Sequence, residues 1–414
     1  MRELLKVVTP TEARARLAQA YTPRPRGSEQ VALRHGYRRV LAADIVAHED
    51  LPEFDKSTVD GYAVRAADVA GASEDRPARL TLVGEVQMGS TPGFAVGPGE
   101  AARIPTGGML PGGADAVVML EQAEVRDGRT VEAARRAAPG ENVIKRAEDV
   151  RRGEVILRQG TRLRPQDVGL LAGIGIVNIE VFQEPRVAVL ATGDEIIPPD
   201  HRPSAGQVRD INTYTIAALV QEEGGIPQVY EIIPDDRERL LHALQSARAS
   251  ADLVLVSGGS SVGEKDAVAW AINAMGKPGV IVHGVNIKPG KPTILGLVDG
   301  TPIIGLPGHP VSGMVIFDVF VRGVLRGLAG RTPPPRFGRV VRARLGQRVP
   351  SAGGREDHVR VALEERDGSL WAIPQLGKSG IITTMTRADG LVVVPPGEDG
   401  VAQGAEVLVE LFEP

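Results

Sequence analysis

Between residues 186 and 330, short apolar runs alternate with segments of helical period, and that alternation leaves this stretch very few folds. The runs 187–191, 229–233, 253–256, 280–285 and 303–306 are rich in Val, Ile and Leu and read as strands. Between or after them, 213–223, 237–249, 266–275 and 311–328 carry apolar residues at helical spacing. Repetition of this kind predicts a doubly wound α/β domain with a mainly parallel sheet. The ligand crevice of such a sheet lies beyond the carboxyl ends of its strands, so the loops that follow the runs are where chemistry is expected.

Those loops are unusual. Ala191-Thr192-Gly193-Asp194-Glu195 follows the first run and Pro234-Asp235-Asp236 the second. Residues 253–256 lead into Ser257-Gly258-Gly259-Ser260-Ser261-Val262-Gly263-Glu264-Lys265-Asp266, and 303–306 into Pro307-Gly308-His309-Pro310-Val311-Ser312. A loop built on Gly258 and Gly259 lets backbone N–H groups approach an anion, although a glycine pair after a strand also makes an ordinary tight turn. Ser312 stands either at the ligand or as a helix N-cap. Lys288-Pro289-Gly290-Lys291-Pro292 sets two ammonium groups three residues apart on a stiff backbone, which suits an oxyanion or pyrophosphate; exposed lysines at a turn are the plainer alternative. Glu195, Asp235 and Asp266 would repel an anion held there unless a hard divalent cation bridges them. Mg²⁺ held by one or two carboxylates and substrate phosphates resolves that conflict, while Asp194 and Asp235 could equally cap the helices that follow.

Composition excludes several classes. The chain has no cysteine, so disulfides and thiolate chemistry are ruled out and a metal must be held by oxygen or imidazole. A net charge of −4 with 3% aromatic residues offers neither the basic stripe nor the stacking rings of a nucleic-acid binder. The N-terminus lacks the apolar core of a signal peptide, and the longest apolar stretches are too short or too charged to span a bilayer, so a cytoplasmic protein with no membrane partner is expected. Only eight lysines stand against forty arginines, and six of them, Lys56, Lys145, Lys265, Lys288, Lys291 and Lys378, fall in the motif segments. Chance in an arginine-favouring composition is one reading; a need for compact ammonium groups is the other.

The 414 residues exceed one ordinary domain. Thr9-Pro10 with Glu12 reads as a capping box opening a helix, followed to about residue 46 by a small helical element and linker. Residues 51–142, rich in Gly and in short alternating runs, predict a β-rich module, and 165–179 a helix-plus-strand connector. After the linker Pro333-Pro334-Pro335, period-2 segments at 339–345, 358–363, 391–394 and 406–411 predict a small β-barrel or sandwich.

Taken in order, Asp60-Gly61-Tyr62-Ala63, Thr106-Gly107, Thr192-Gly193-Asp194-Glu195, the 257–266 segment, Lys288 to Pro292, Gly305 to Ser312, Gly353-Gly354-Arg355 and Gly377-Lys378-Ser379-Gly380 resemble the molybdopterin molybdenumtransferase family. The resemblance implies a multidomain α/β chain: a discontinuous N-terminal unit (1–50 and 143–185), a β-rich insertion (51–142), a molybdopterin-binding α/β domain (186–331) and a C-terminal β-barrel (332–414). It implies a homodimer whose active site lies between the α/β domain of one subunit and the β-rich module of the other. The implied reaction takes adenylylated molybdopterin and molybdate, promoted by Mg²⁺, to molybdenum cofactor and AMP. A molybdopterin adenylyltransferase and molybdoenzyme chaperones are the implied protein partners. Carried over by motif, Asp235 and Asp266 handle the metal and phosphate cleavage, with Asp60 and Glu195 as supporting carboxylates. Thr106, Asp149, Gly258, Gly259, Ser261, Lys288, Lys291, Pro292, Pro307, Pro310, Ser312, Arg355 and Ser379 receive the substrates. His309 stands where the family commonly has Asn, and 355–358 lacks a common Phe. Two rival functions share this α/β domain: an adenylyltransferase acting on molybdopterin, and a scaffold like the receptor-clustering domain of gephyrin.

Overall fold

The computed structural model describes residues 7–258, 267–331 and 340–412. Its centre is a six-stranded sheet in the order Ile226–Val229, Arg186–Ala191, Leu253–Ser257, Thr301–Leu306, Ile294–Val298, Pro278–His283. The first four strands are parallel, Ile294–Val298 pairs antiparallel with the fourth, and the edge strand Pro278–His283 pairs antiparallel with it in turn. Both faces are covered, which explains why the central strands are apolar throughout rather than alternating. One core packs the helices Pro10–Ala20, Asn212–Glu222 and the long helical run from Pro310 to Leu328 against the sheet. The opposite core packs Arg237–Ser250 and Ala267–Met275. The long run contains a π-helical stretch at Phe317–Val321, and the N-cap of its first segment is His309.

Several expectations are corrected by long-range pairing. The run at 229–233 forms its strand earlier, at Ile226–Val229, while Ile233 makes only a bridge to Thr192. The strand Ile294–Val298 comes in addition to the five expected ones. Residues 20–46, expected as helix and linker, contain the strand Ser28–Ala32, which pairs antiparallel with Asn178–Phe182. Likewise Ile45–Val46 pairs with Val155–Leu157, and Lys56–Ser57 with Val143–Ile144. These pairings join 28–57 to 143–182 across the intervening sheet of six strands, which runs from Gly61–Val64 to Thr130–Ala133 in sequence. The helix Pro10–Ala20 buries Ala13 and Leu17 against the α/β core rather than against this N-terminal unit.

At the C-terminus, Glu356–Arg366, Ser369–Pro374, Val340–Leu345, Glu406–Leu411 and Gly390–Val394 close on themselves as a five-stranded barrel, since Gly390–Val394 pairs back onto Glu356–Arg366. Its Val-rich interior is the core expected from the period-2 pattern. The barrel is stitched to the α/β unit by the strand Ile287–Lys288, which lies parallel to Glu356–Arg366 with Lys288 opposite Asp357. Among the described residues no helix is long and apolar enough to cross a membrane.

Candidate active site

The carboxyl ends of the parallel strands are tied together by buried polar groups. Asn212 Nδ2 donates to Ser257 Oγ at 2.5 Å and to the Gly308 carbonyl at 2.8 Å, joining the loops after two strands. Thr192 N–H donates to the Ser257 carbonyl at 2.9 Å. Gly258 takes φ of +95°, and a Cβ there would run into the Thr192 carbonyl, so this position needs glycine.

Above this floor lies a cavity of about 1220 Å³ between the α/β unit and the barrel. From the α/β side it is lined by Glu195, Gly258, Lys288, Lys291 and Pro292, and by Pro307, Pro310 and Ser312. The barrel contributes Arg355 and Ser379, together with Arg360 and Lys378. Ten of the expected site residues therefore meet in one place although they are spread along the chain from Glu195 to Ser379. Ser312 is buried inside its helix and is not the N-cap. His309 holds the cap position, and its Nδ1 lies 2.9 Å from Ser379 Oγ, so imidazole reaches across to the barrel. A smaller hollow of about 590 Å³, lined by Asp194, Tyr214 and Pro234 among others, adjoins the first through Ile196 and Asp210, which face both.

Asp235 follows that hollow in sequence rather than lining either cavity, and its N–H donates to Asp194 Oδ1 at 3.0 Å. The helix behind it is capped by Asp236, whose carboxylate accepts from Arg239 N–H at 2.9 Å, so neither Asp194 nor Asp235 is the helix cap. Gly259, Ser261 and Asp266 lie outside the described residues.

Asp60, Thr106 and Asp149 do not line the cavity in the single chain. Asp60 Oδ1 accepts from Thr106 N–H at 2.7 Å and from Thr106 Oγ1 at 3.1 Å, and that backbone donor holds the Asp60 carboxyl below its ordinary range. The two motifs thus form one small constellation in the β-rich module. Asp149 is anchored through its backbone N–H to the Leu51 carbonyl.

One functional group had no signal of its own in the sequence. Asp357, buried on the barrel strand Glu356–Arg366, receives Arg355 Nε at 2.5 Å and Nη2 at 3.1 Å and lies 3.8 Å from Lys288 Nζ. It aligns a cation from each unit, a relation set by strand pairing between distant segments. Next to it, His358 Nε2 lies 2.9 Å from Glu356 Oε1, and this hydrogen bond lowers the Glu356 carboxyl below its ordinary range. The chemistry available is two-signed: several cations and carboxylates line one open cleft, as an anionic substrate that also engages a cation requires.

Comparison with known proteins places this arrangement. Residues 8–175 match the family described as MoeA N-terminal region (domain I and II), 188–327 the probable molybdopterin binding domain, and 342–412 the MoeA C-terminal region (domain IV). A molybdopterin molybdenumtransferase of Nostoc sp. is 35% identical over 379 residues, spanning 90% of this chain and 86% of that protein. The chain belongs to the molybdopterin molybdenumtransferase family. The Bacillus subtilis member is 33% identical over 93% of this chain and 90% of its own length. A solved structure of the molybdopterin biosynthesis MoeA protein from Pyrococcus horikoshii superposes with a TM-score of 0.84 at 32% identity, covering 98% of this chain and all of that one. The family's fold, α/β with a β-rich part and a closed C-terminal barrel, is the one found here.

Proposed function

We propose that this protein is a Mg²⁺-promoted molybdopterin molybdenumtransferase that joins molybdate to adenylylated molybdopterin and releases AMP. The observation that carries the reading is the two-signed cavity: Lys288, Lys291, Arg355 and Lys378 on one space with Glu195 and Asp210. Holding two anions together requires cations fixed before they arrive, and the Arg355–Asp357 pair fixes one of them. On this reading Lys288, Lys291, Arg355 and Ser379 orient the oxyanion, while Pro292, Pro307 and Pro310 shape a wall that limits its motion. Ser312 and the backbone around Gly258 and Gly259 approach the pterin phosphate.

Mg²⁺ would be held by Asp235 and Asp266 with substrate phosphates, supplying charge neutralisation at the cleaved phosphate. No cluster of three or more His, Cys, Asp or Glu able to hold a metal occurs among the described residues. Asp235 stands one residue beyond Pro234, which lines the smaller hollow, and its N–H donates to Asp194 of the same hollow, so an oxygen donor beside substrate phosphates suits a hard cation.

Asp60, Thr106 and Asp149 act, on the same reading, from the partner subunit of a homodimer. The chain divides into 1–50 with 143–185, 51–142, 186–331 and 332–414, and the cross-pairing of 28–32 with 178–182 and of 45–46 with 155–157 supports the discontinuous first unit. The setting is cytoplasmic, with a molybdopterin adenylyltransferase upstream and molybdoenzyme chaperones downstream. The test is AMP release from adenylylated molybdopterin by the pure protein with Mg²⁺. Release that depends on molybdate and accompanies metal insertion is the expected result; no release under any metal would refute the reading.

A further inference from the structure

We infer that His309 is a positioning residue for the oxyanion: its ring Nδ1–H donates to Ser379 Oγ, so that the serine keeps its single proton for an oxygen of the bound anion. His309 caps the helix Pro310–Ile316 by position alone, because its side chain makes no capping hydrogen bond. The imidazole is turned instead across the cavity, where Nδ1 lies 2.9 Å from Ser379 Oγ on the barrel. Two further contacts hold the serine in that place. The Ser379 carbonyl accepts from Val311 N–H at 3.2 Å, and a Cβ at Gly380 would stand 3.7 Å from His309 Cδ2, so the loop lies against both the helix start and the ring. From the barrel side the same loop is fixed by Arg360 Nη2, which donates to the Gly377 carbonyl at 3.0 Å.

A hydroxyl has one proton and two lone pairs, whereas an oxyanion offers only acceptors, so Ser379 serves the anion only as a donor. If Ser379 spent its proton on the Nδ1 lone pair, the lone pairs of its own oxygen would face the anion and repel it. With the proton on Nδ1 the order becomes N–H to Oγ and O–H to the anion, and each bond polarises the next. A neutral imidazole supplies that donor in one of its tautomers, so the arrangement adds no further charge beside Lys378 and Lys291. The ring is exposed in the cleft, which leaves Nε2 open to water in that tautomer.

This inference deepens the proposed function and rests on it for the identity of the anion, molybdate. Molybdate binding to the full chain is measured by calorimetry for the wild type, His309→Ala, His309→Asn, Ser379→Ala and the double variant His309→Ala with Ser379→Ala. The KM for molybdate in AMP release reads the same ratios, and the melting temperature of each variant without anion controls for folding. His309→Ala should bind about tenfold more weakly, the loss of one hydrogen bond to a charged ligand passed on through the serine. The amide of Asn carries an N–H near the place of Nδ1, so His309→Asn should stay within about threefold of the wild type. Adding His309→Ala to Ser379→Ala should weaken binding by less than about twofold, because the imidazole acts only through the hydroxyl. Unchanged binding in His309→Ala, a further loss of about tenfold in the double variant, or His309→Asn as weak as His309→Ala would each overturn the inference. If the wild type shows molybdate-dependent AMP release alongside such a result, the functional reading stands without it; a wild type that neither binds molybdate nor releases AMP with it would remove both.

Discussion

Replacing Glu223 with Gln tests whether a buried ion cluster anchors the long helix that delivers Pro310 and Ser312 to the cavity. The Glu223 side chain is fully buried just beyond the helix Asn212–Glu222. It accepts from Arg326 Nε at 2.8 Å and Nη2 at 3.0 Å, from Arg331 Nη1 at 2.5 Å, and from Arg322. Arg322 would keep Asp318 at 2.6 Å and Glu222 at 2.9 Å after the substitution, but Arg326 and Arg331 would lose the carboxylate both face. Removing one partner of a buried ion pair costs about 3–5 kcal/mol. The three arginine side chains retain 14–24% exposure, so water takes up part of the loss and the low end, about 3 kcal/mol, is expected.

A chain of several packed units does not unfold in one step, so the assay is native-state hydrogen exchange of the amides in 322–328 rather than a melting curve. Protection there should fall roughly a hundredfold. Burial pushes the Glu223 carboxyl up, but Arg326 donating to it and the charges of Arg322, Arg326 and Arg331 outweigh burial and leave it below the ordinary range. A carboxyl depressed in the folded state stabilises above its unfolded pKa, about 4.3, and that contribution is lost as pH falls through the folded value. The difference between variant and wild type should therefore be full at pH 7 and shrink below about pH 4.3. Protection within about threefold of wild type at pH 7 would show that apolar packing alone holds the helix.

Three further outcomes are expected. If the active site is shared between subunits, Asp60→Asn and Lys291→Ala are each inactive as homodimers; subunits mixed one to one regain about a quarter of wild-type AMP release, because each two-fold heterodimer restores one intact site. Complementation no better than either parent would remove the partner-subunit role of Asp60. Gly258→Ala should destabilise by about 2 kcal/mol and lose activity, since φ of +95° and the Thr192 carbonyl leave no place for a Cβ; a fully stable, active Gly258→Ala would contradict that geometry. His358→Phe removes the hydrogen bond that depresses Glu356, so the Glu356 carboxyl should move up towards its ordinary value in a ¹³C NMR titration. The stability that this pair supplies in the wild type is present above about pH 4.3 and disappears as pH falls through the folded value; an unmoved Glu356 would assign its depression to another group.

The α/β alternation from 186 to 330, the loops after its strands and the lysine pair at 288 and 291 were legible in the chain itself. Each depends on local pattern: apolar runs that must be buried on both faces, glycine where backbone crowds, and a stiff Pro-Gly turn. The ordered motifs carried the family as well. Other features came from segments that meet only in three dimensions. Strand pairing across more than a hundred residues turned 28–32 from an expected linker into a strand, and barrel closure set Arg355, Arg360 and Ser379 against a crevice built by other segments. Asp357 looked like any acidic residue until the register with Lys288 placed it between two cations. Composition records how many charges a chain has; which of them are buried, paired or left waiting is set by contacts between distant segments, and those exist only once the units have packed.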